Sequence, residues 1–173
     1  MVSFRVSTDV RAPPGFVVDW WWNYSPDDSP LAPGMTGREV ERVDERTIRV
    51  ASRVEFGGRI RTTNGTVTRT GPASWQLSAH VSSGGKVVST LQTSYVVEPA
   101  VDGSRVLADF QFVGRTLSWR LVLFLSQSRL RRDRIQSLET FARAIETEFA
   151  ASPSGPAAGV SGTARREEPV PPA

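Results

Sequence analysis

The segment SRVLADFQFV, residues 104–113, is followed by a stretch in which the apolar residues change their spacing, and this change decides the fold. Within the segment every second side chain is apolar, as in a strand that buries one face. After Gly114 the spacing becomes three to four residues, and the strongest apolar stripe runs through Leu138, Ala142 and Ile145. That spacing is typical of an amphipathic helix. The sequence therefore predicts a last sheet strand followed by a helix.

Upstream of residue 104, the period of two extends back as far as Arg38. Turn-forming pairs such as Gly57-Gly58 and Asp102-Gly103 interrupt it at intervals. One face carries apolar side chains and the other carries mostly Arg, Glu, Gln, Ser and Thr, which is the pattern of an antiparallel meander with one buried face. We predict six strands here, at residues 38–43, 47–56, 59–70, 74–82, 86–98 and 104–113.

The N-terminal residues 1–10 alternate in the same way and predict a further, half-buried strand. Pro13 and Pro14 end it and suit the start of a short aromatic helix at residues 16–24, which is followed by a loop to residue 37. A sheet with one solvent-exposed face must bury its other, apolar face against another element, and the C-terminal helix is the candidate. The predicted fold class is α+β, with one curved seven-stranded antiparallel sheet, one or two short helices after strand 1, and a long C-terminal helix packed on the concave face. We expect that helix to begin at about Leu117 or Ser128 and to end near Ala150.

The chain has 173 residues, of which 39% are hydrophobic and 23% charged, and this fits one globular domain. We expect residues 1–150 to form that domain and residues 151–173, rich in Pro, Ala, Gly and Ser, to be a disordered tail. The chain has no cysteine and one histidine, His80, which excludes thiolate catalysis and His-pair metal sites. The sequence therefore assigns no catalytic residue, no metal and no cofactor.

The charge balance is nearly even, with 21 basic and 18 acidic residues and a net charge of +3. The longest apolar run, Leu121–Leu125, is far too short to span a bilayer, and residues 1–10 do not have the pattern of a signal peptide. We therefore expect a cytoplasmic protein. A nucleic-acid partner is disfavoured, because no aromatic stacking platform interleaves with the arginines.

The order of elements resembles the helix-grip fold of the START-like (SRPBCC) superfamily, which contains START lipid-transfer domains, birch-pollen allergens and the polyketide cyclase/dehydrase family. The local match is residues 10–20, VRAPPGFVVDW, where a strand runs through Ala-Pro into an aromatic-rich turn. Residues 129–148 are similar to the closing helix of the family. The resemblance implies a hydrophobic pocket between the concave face and the last helix, and it implies no catalytic motif.

A ligand cavity in that place fits the small and polar residues that we expect to face inward, because such groups orient a ligand in an apolar cleft. The alternative is a filled core in which neighbouring strands or waters satisfy the hydroxyl groups. The candidate cavity residues are Trp20, Trp21, Tyr24, Val50, Ser52, Val54, Phe56, Thr62, Asn64, Trp75, Leu77, Leu91, Thr93, Tyr95, Phe110, Phe112, Leu138 and Ala142.

A second candidate surface lies at the start of the last helix, where four arginines occur within six residues: Arg129, Arg131, Arg132 and Arg134. With the neighbouring apolar run they predict a docking surface for an anionic membrane or a protein partner. The alternative is an ordinary solvated helix face. His80 is predicted to face solvent.

Three functions follow, and the sequence favours the first. The first is a non-enzymatic carrier of a hydrophobic small molecule, lipid-like or aromatic. The second is an enzyme of the polyketide cyclase/aromatase kind, which needs a proton-transfer group in the cavity such as Tyr95, Asp19 or a water held by arginine. The third is a docking module that uses the arginine-rich surface.

Overall fold

The structure is a computed structural model that describes residues 1–23, 35–56 and 58–152. In the described residues, one helix follows the first strand, a run of six strands comes next, and two helices follow the last strand. In chain order the elements are β1 (Val2–Val10), α1 (Pro14–Trp22), β2 (Met35–Arg42), β3 (Thr47–Phe56), β4 (Arg59–Gly71), β5 (Ser74–Ser83), β6 (Lys86–Ala100), β7 (Gly103–Gly114), α2 (Leu117–Leu125) and α3 (Gln127–Ala151).

All seven strands form one curved antiparallel sheet in the order β1-β7-β6-β5-β4-β3-β2. The strands β2 to β7 are a meander of sequential neighbours, and β1 returns to pair with β7 from Val2 opposite Phe112 to Val10 opposite Ser104. The helix α3 packs against the sheet at β1. The predicted fold class is thereby confirmed.

The strand β4 faces the opposite way from the prediction. Thr62 and Asn64 were expected inward, but both are exposed, while Thr63 and Gly65 face the interior. The local sequence is a run of hydroxyl, amide and glycine residues, so it carries no apolar alternation from which the inner face can be recognised. The pairing of Val67 with Leu77 on β5 sets the register instead, because both are apolar side chains of the inner face.

The C-terminal segment forms two helices, where one long helix was predicted. Thr116 caps α2 by accepting a hydrogen bond from the Trp119 N–H at 3.3 Å, and the chain turns at Ser126 before α3 begins. The backbone of α2 lies so close to the end of β7 that a Cβ at Gly114 would lie 2.7 Å from the Arg120 nitrogen. The two helices contact different strands, α2 packing on β7 and α3 on β1. Among the described residues, no helix has the length and apolar character needed to cross a membrane.

The helix α1 begins at Pro14 and ends at Trp22, two residues earlier than predicted. Phe16 of α1 packs on Phe149 of α3 with ring centroids 5.1 Å apart. The α3 carboxylate of Glu146 accepts a hydrogen bond from the Arg11 backbone N–H at 2.8 Å. These contacts hold α1 and the far end of α3 against the same end of the sheet. The predicted loop at residues 25–37 lies outside the described residues up to residue 34, and the predicted tail lies outside them from residue 153.

Candidate functional site

A cavity of about 210 Å³ lies between the inner face of the sheet and the helices. Side chains of β2 to β7 and of all three helices line it. Empty apolar cavities of about 150 Å³ bind benzene, and drug-sized sites have volumes of about 300–1,000 Å³. The volume therefore suits a molecule somewhat larger than one benzene ring.

One side of the cavity is built from large rings, and we call Trp21, Tyr95, Phe110, Phe112 and Phe141 the aromatic wall. The Trp21 ring centroid lies 5.3 Å from that of Phe141 and 5.4 Å from that of Tyr95. Rings at such distances and tilts pack favourably beyond the area that they bury. The wall is therefore a rigid, preformed apolar surface.

The aromatic wall is backed by Trp75, which is only 2% exposed. Its ring stacks on Tyr95 at 5.4 Å with an interplanar angle of 16° and contacts Trp21 at 5.5 Å. Trp75 therefore supports the wall from behind and does not line the cavity.

The opposite side is formed by small residues of β3 and β4, and we call Ser52, Thr63 and Gly65 the small-residue wall. A Cβ at Gly65 would lie 2.8 Å from the Ala79 Cβ and 3.0 Å from the Ser78 carbonyl oxygen, so no larger residue fits without a shift of β5. The hydroxyl groups of Ser52 and Thr63 give this wall a polar component within a mainly apolar lining. The small side chains of Ser52 and Thr63 leave space that larger ones would fill, whereas Gly65 permits the close approach of β5.

Three arginines reach the cavity lining, namely Arg38, Arg61 and Arg134. The Arg61 guanidinium lies over the Trp119 ring at 4.5 Å, and that of Arg134 lies 5.6 Å from the Phe110 ring centroid. Burial, and to a smaller extent the charge of Arg59, lowers the pKa of Arg61 from its usual value. The cavity therefore has cationic groups at its edge that stack on aromatic side chains.

Arg134 corrects one prediction. It was grouped with the exposed arginines of α3, but its side chain is half-buried and lines the cavity. It lies one helical turn from Leu130 and Leu138, which face the sheet, so it shares their side of α3. Arg129, Arg131 and Arg132 are exposed.

The structure brings most of the predicted cavity residues to the lining. Those that line the cavity are Trp21, Val50, Ser52, Val54, Leu77, Leu91, Tyr95, Phe110, Phe112 and Leu138.

Four further candidates belong to the core or pack against it and do not line the cavity. Trp20 packs edge-on against Phe141, and Ala142 is core on α3. Trp75 and Thr93 are buried without lining the cavity. Thr62 and Asn64 are exposed, as described above. Tyr24 and the side chain of Phe56 lie outside the described residues.

Sequence reasoning missed several lining residues, among them Arg38, Arg61, Trp119, Leu123 and Phe141. The spacing of four between Trp119 and Leu123 was a usable signal for one face of a helix. The arginines were assigned to the solvent-exposed face because they are charged. An arginine whose guanidinium stacks on an aromatic ring can be partly buried, so its charge alone does not predict its position.

The titratable groups of the site are few. His80 is exposed on β5, which confirms its predicted orientation, and Asp19 is exposed on α1. Within residues 1–23, 35–56 and 58–152, the cavity lining includes no Asp, Glu or His. The described lining therefore offers only Tyr95 and arginines for proton transfer.

Comparisons with known proteins identify the fold. No protein-family model and no curated protein sequence matches the chain. Among solved structures, it is similar to the Zhui aromatase/cyclase from a Streptomyces species, with a TM-score of 0.69 and 14% identity over 88% of this chain and 97% of the other.

Two more solved structures are similar to the chain. One is a STAR-related lipid transfer protein from Xanthomonas axonopodis, with a TM-score of 0.60 and 14% identity over 83% of this chain and 85% of the other. The other is a START superfamily protein from Mycobacterium smegmatis, with a TM-score of 0.58 and 11% identity over 86% of this chain and 97% of the other. The chain thus has the helix-grip fold that START-like proteins share with aromatase/cyclases.

Proposed function

We propose that the protein binds and carries a small hydrophobic molecule in the cavity between the sheet and α3. The observation that carries the proposal is the preformed apolar space of about 210 Å³ between the aromatic wall and the small-residue wall. A flat apolar molecule placed there gains from burial at about 25 cal/mol per Å² and from ring packing. The similarity to a structure named for lipid transfer and to one named for aromatase/cyclase activity supports a hydrophobic ligand.

The ligand is expected to carry at least one hydrogen-bond acceptor. The Arg134 Nε is buried, and it makes no hydrogen bond within the part of the chain that the structure describes. A buried donor without a partner costs free energy, and an acceptor oxygen on the ligand would satisfy it. The hydroxyl groups of Ser52 and Thr63 would add orientation from the opposite wall.

A carrier is favoured over a cyclase by the chemistry of the lining. General acid–base catalysis needs a group that exchanges protons near neutral pH, usually His, Asp or Glu. Among the described lining residues there is none of these, and arginine stays protonated at neutral pH.

The proposal is tested by titrating the full chain with the uncharged fluorescent probe N-phenyl-1-naphthylamine. We expect a saturable increase in fluorescence for the unchanged chain. Ser52→Phe places a ring into the cavity and should weaken binding by about tenfold or more, because it occupies the space of the ligand. Ser78→Phe, on the exposed face of β5, is the matched control and should bind as the unchanged chain does.

Thermal unfolding of both variants shows whether they are folded. Two results would overturn the proposal: the absence of saturable uptake by the unchanged chain, or equal uptake by a folded Ser52→Phe variant.

A further inference from the structure

The helix α2 exposes an unusual amount of apolar surface. Leu117 is 82% exposed, Leu121 58%, Phe124 65% and Leu125 73%. Their spacing of four, three and one places them on one side of the helix. We call these four residues the docking face. Large apolar side chains grouped in this way mark an interaction site, whereas scattered ones do not.

The other side of α2 faces the cavity. Trp119 and Leu123 line it, and the Arg61 guanidinium lies over the Trp119 ring. The helix is therefore apolar on both sides, with the interior of the protein on one side and solvent on the other. This single helix separates the cavity from whatever contacts the docking face.

The chain that carries the docking face is rich in arginine. Between residues 115 and 138 the chain has six arginines and one acid, Asp133. Arg134 faces the cavity, whereas Arg115, Arg120, Arg129, Arg131 and Arg132 are exposed. Arg115 precedes α2 by two residues and Arg120 lies within it, while the other three exposed arginines lie on the first two turns of α3. The surroundings of the docking face are thus strongly positive.

We propose that α2 docks on the surface of a lipid bilayer that contains anionic lipids, with the docking face in the acyl region and the arginines at the headgroups. An interfacial helix of this kind presents Leu and Phe on one side and basic residues around them. The positive charges are complementary to anionic headgroups. Each arginine near the membrane surface adds to the free energy of binding. RNA would need stacking rings, and Phe124 is the sole ring on the docking face.

The position of α2 connects this docking to the cavity. If the proposed ligand binding holds, a hydrophobic molecule could pass between the bilayer and the cavity beside α2 without crossing water. Docking itself does not need a ligand, so the test below measures docking alone, and its outcome is independent of the probe titration described above.

The experiment is co-sedimentation of the full chain with vesicles at low ionic strength. One set is pure phosphatidylcholine, and the other contains about one-third phosphatidylglycerol. We expect clear binding to the anionic vesicles, weak binding to the neutral ones, and loss of binding at high salt because the headgroup charges are screened.

Two variants locate the contact. Leu121→Ser/Leu125→Ser removes apolar anchors, and Arg131→Glu/Arg132→Glu reverses two charges; each should weaken binding by about tenfold or more. The matched controls are Val101→Ser, at the opposite end of β7, and Arg46→Glu/Arg53→Glu, which changes the net charge equally at other exposed positions. Both controls should bind nearly as the unchanged chain does.

The proposal is overturned if the unchanged chain does not bind anionic vesicles at low salt. It is equally overturned if the Arg46→Glu/Arg53→Glu control loses as much binding as Arg131→Glu/Arg132→Glu, since net charge alone then explains the effect. Self-association through α2 in the absence of vesicle binding would identify the docking face as a protein interface and would also contradict the proposal.

Discussion

The two walls of the cavity are built from opposite kinds of residue: rings of β6, β7, α1 and α3 on one side, and small residues of β3 and β4 on the other. The aromatic wall is backed by Trp75 and braced by α1 and α3, so its rings contact one another at about 5 to 6 Å. The small-residue wall has hydroxyl groups and a glycine, and it faces empty space. The difference shows that the cavity depends on both walls. The rings of one wall are held in place by their neighbours, and the small residues of the other wall leave the space between the walls unfilled.

The largest expected effect comes from removing the support of the aromatic wall. Trp75→Ala deletes a ring that is 2% exposed and stacks on Tyr95. We expect a loss of about 3–5 kcal/mol in the free energy of unfolding, because a large cavity forms where the packing is dense. Urea unfolding measures this loss; a change below about 1 kcal/mol would show that the aromatic wall is not densely packed.

The next effect compares an enlarged side chain at a filled position with one beside the cavity. Thr93→Leu adds volume at a fully buried position outside the cavity and should cost about 1–3 kcal/mol through overpacking. Ser52→Leu points its added carbons into the hollow, so its unfolding free energy should be unchanged or higher. Denaturant unfolding of both variants gives the comparison, and equal destabilisation would mean that the space beside Ser52 is filled.

A smaller effect is expected from Thr93→Val. The Thr93 Oγ1 is buried and makes no hydrogen bond with the residues that the structure describes. Replacing the hydroxyl by a methyl group of similar size removes the cost of that unsatisfied group, so the variant should be more stable by about 1 kcal/mol. Thermal unfolding tests this, and a clear loss of stability would show that the hydroxyl has a partner.

The smallest effect lies on the outer face of the sheet, behind the aromatic wall. Hydrogen bonds from the Arg5 guanidinium, at 2.7 and 2.8 Å, hold the pKa of Asp109 below its usual value. A lowered carboxyl pKa stabilises the fold above the unfolded pKa, and this stabilisation disappears as the pH falls through the folded value. Both side chains are largely exposed, so solvent weakens the effect.

The pH dependence is measured by comparing the unchanged chain with Asp109→Asn. The unchanged chain should unfold at a slightly higher temperature than the variant near pH 7. The difference should begin to shrink near about pH 4, where the unfolded carboxyl binds a proton, and should vanish only below the lowered pKa of the folded carboxyl. A difference that persists in acid would show that the carboxylate charge is not its cause.

The sheet could be predicted because its strands carry strong alternation and clear turns. β7 is an example: Val106, Ala108, Phe110 and Phe112 all face inward as predicted. The orientation of β4 could not be predicted, since Thr62, Thr63 and Asn64 have no apolar difference between its faces, and the neighbouring strand decides which side is buried.

The candidate site could be predicted only in part. Apolar lining residues such as Leu91 and Tyr95 followed from the strand pattern, whereas Arg61 did not, because its head is accommodated by the Trp119 ring of a distant helix. The division between α2 and α3 also depended on tertiary contact. The backbone of α2 lies close to Gly114 at the end of β7, and the apolar periodicity of the helical segment contains no information about this contact.

Native mass spectrometry of the freshly purified full chain, followed by organic extraction, tests the central claim most directly. A carrier with a preformed hydrophobic cavity should show a discrete mass above that of the chain. Organic solvent should release one lipid-like or aromatic compound, and this compound should rebind with a stoichiometry of one molecule per chain. The mass of the chain alone, with no rebinding of hydrophobic compounds or of N-phenyl-1-naphthylamine, would contradict the account and would mean that the space between the two walls is closed to ligands.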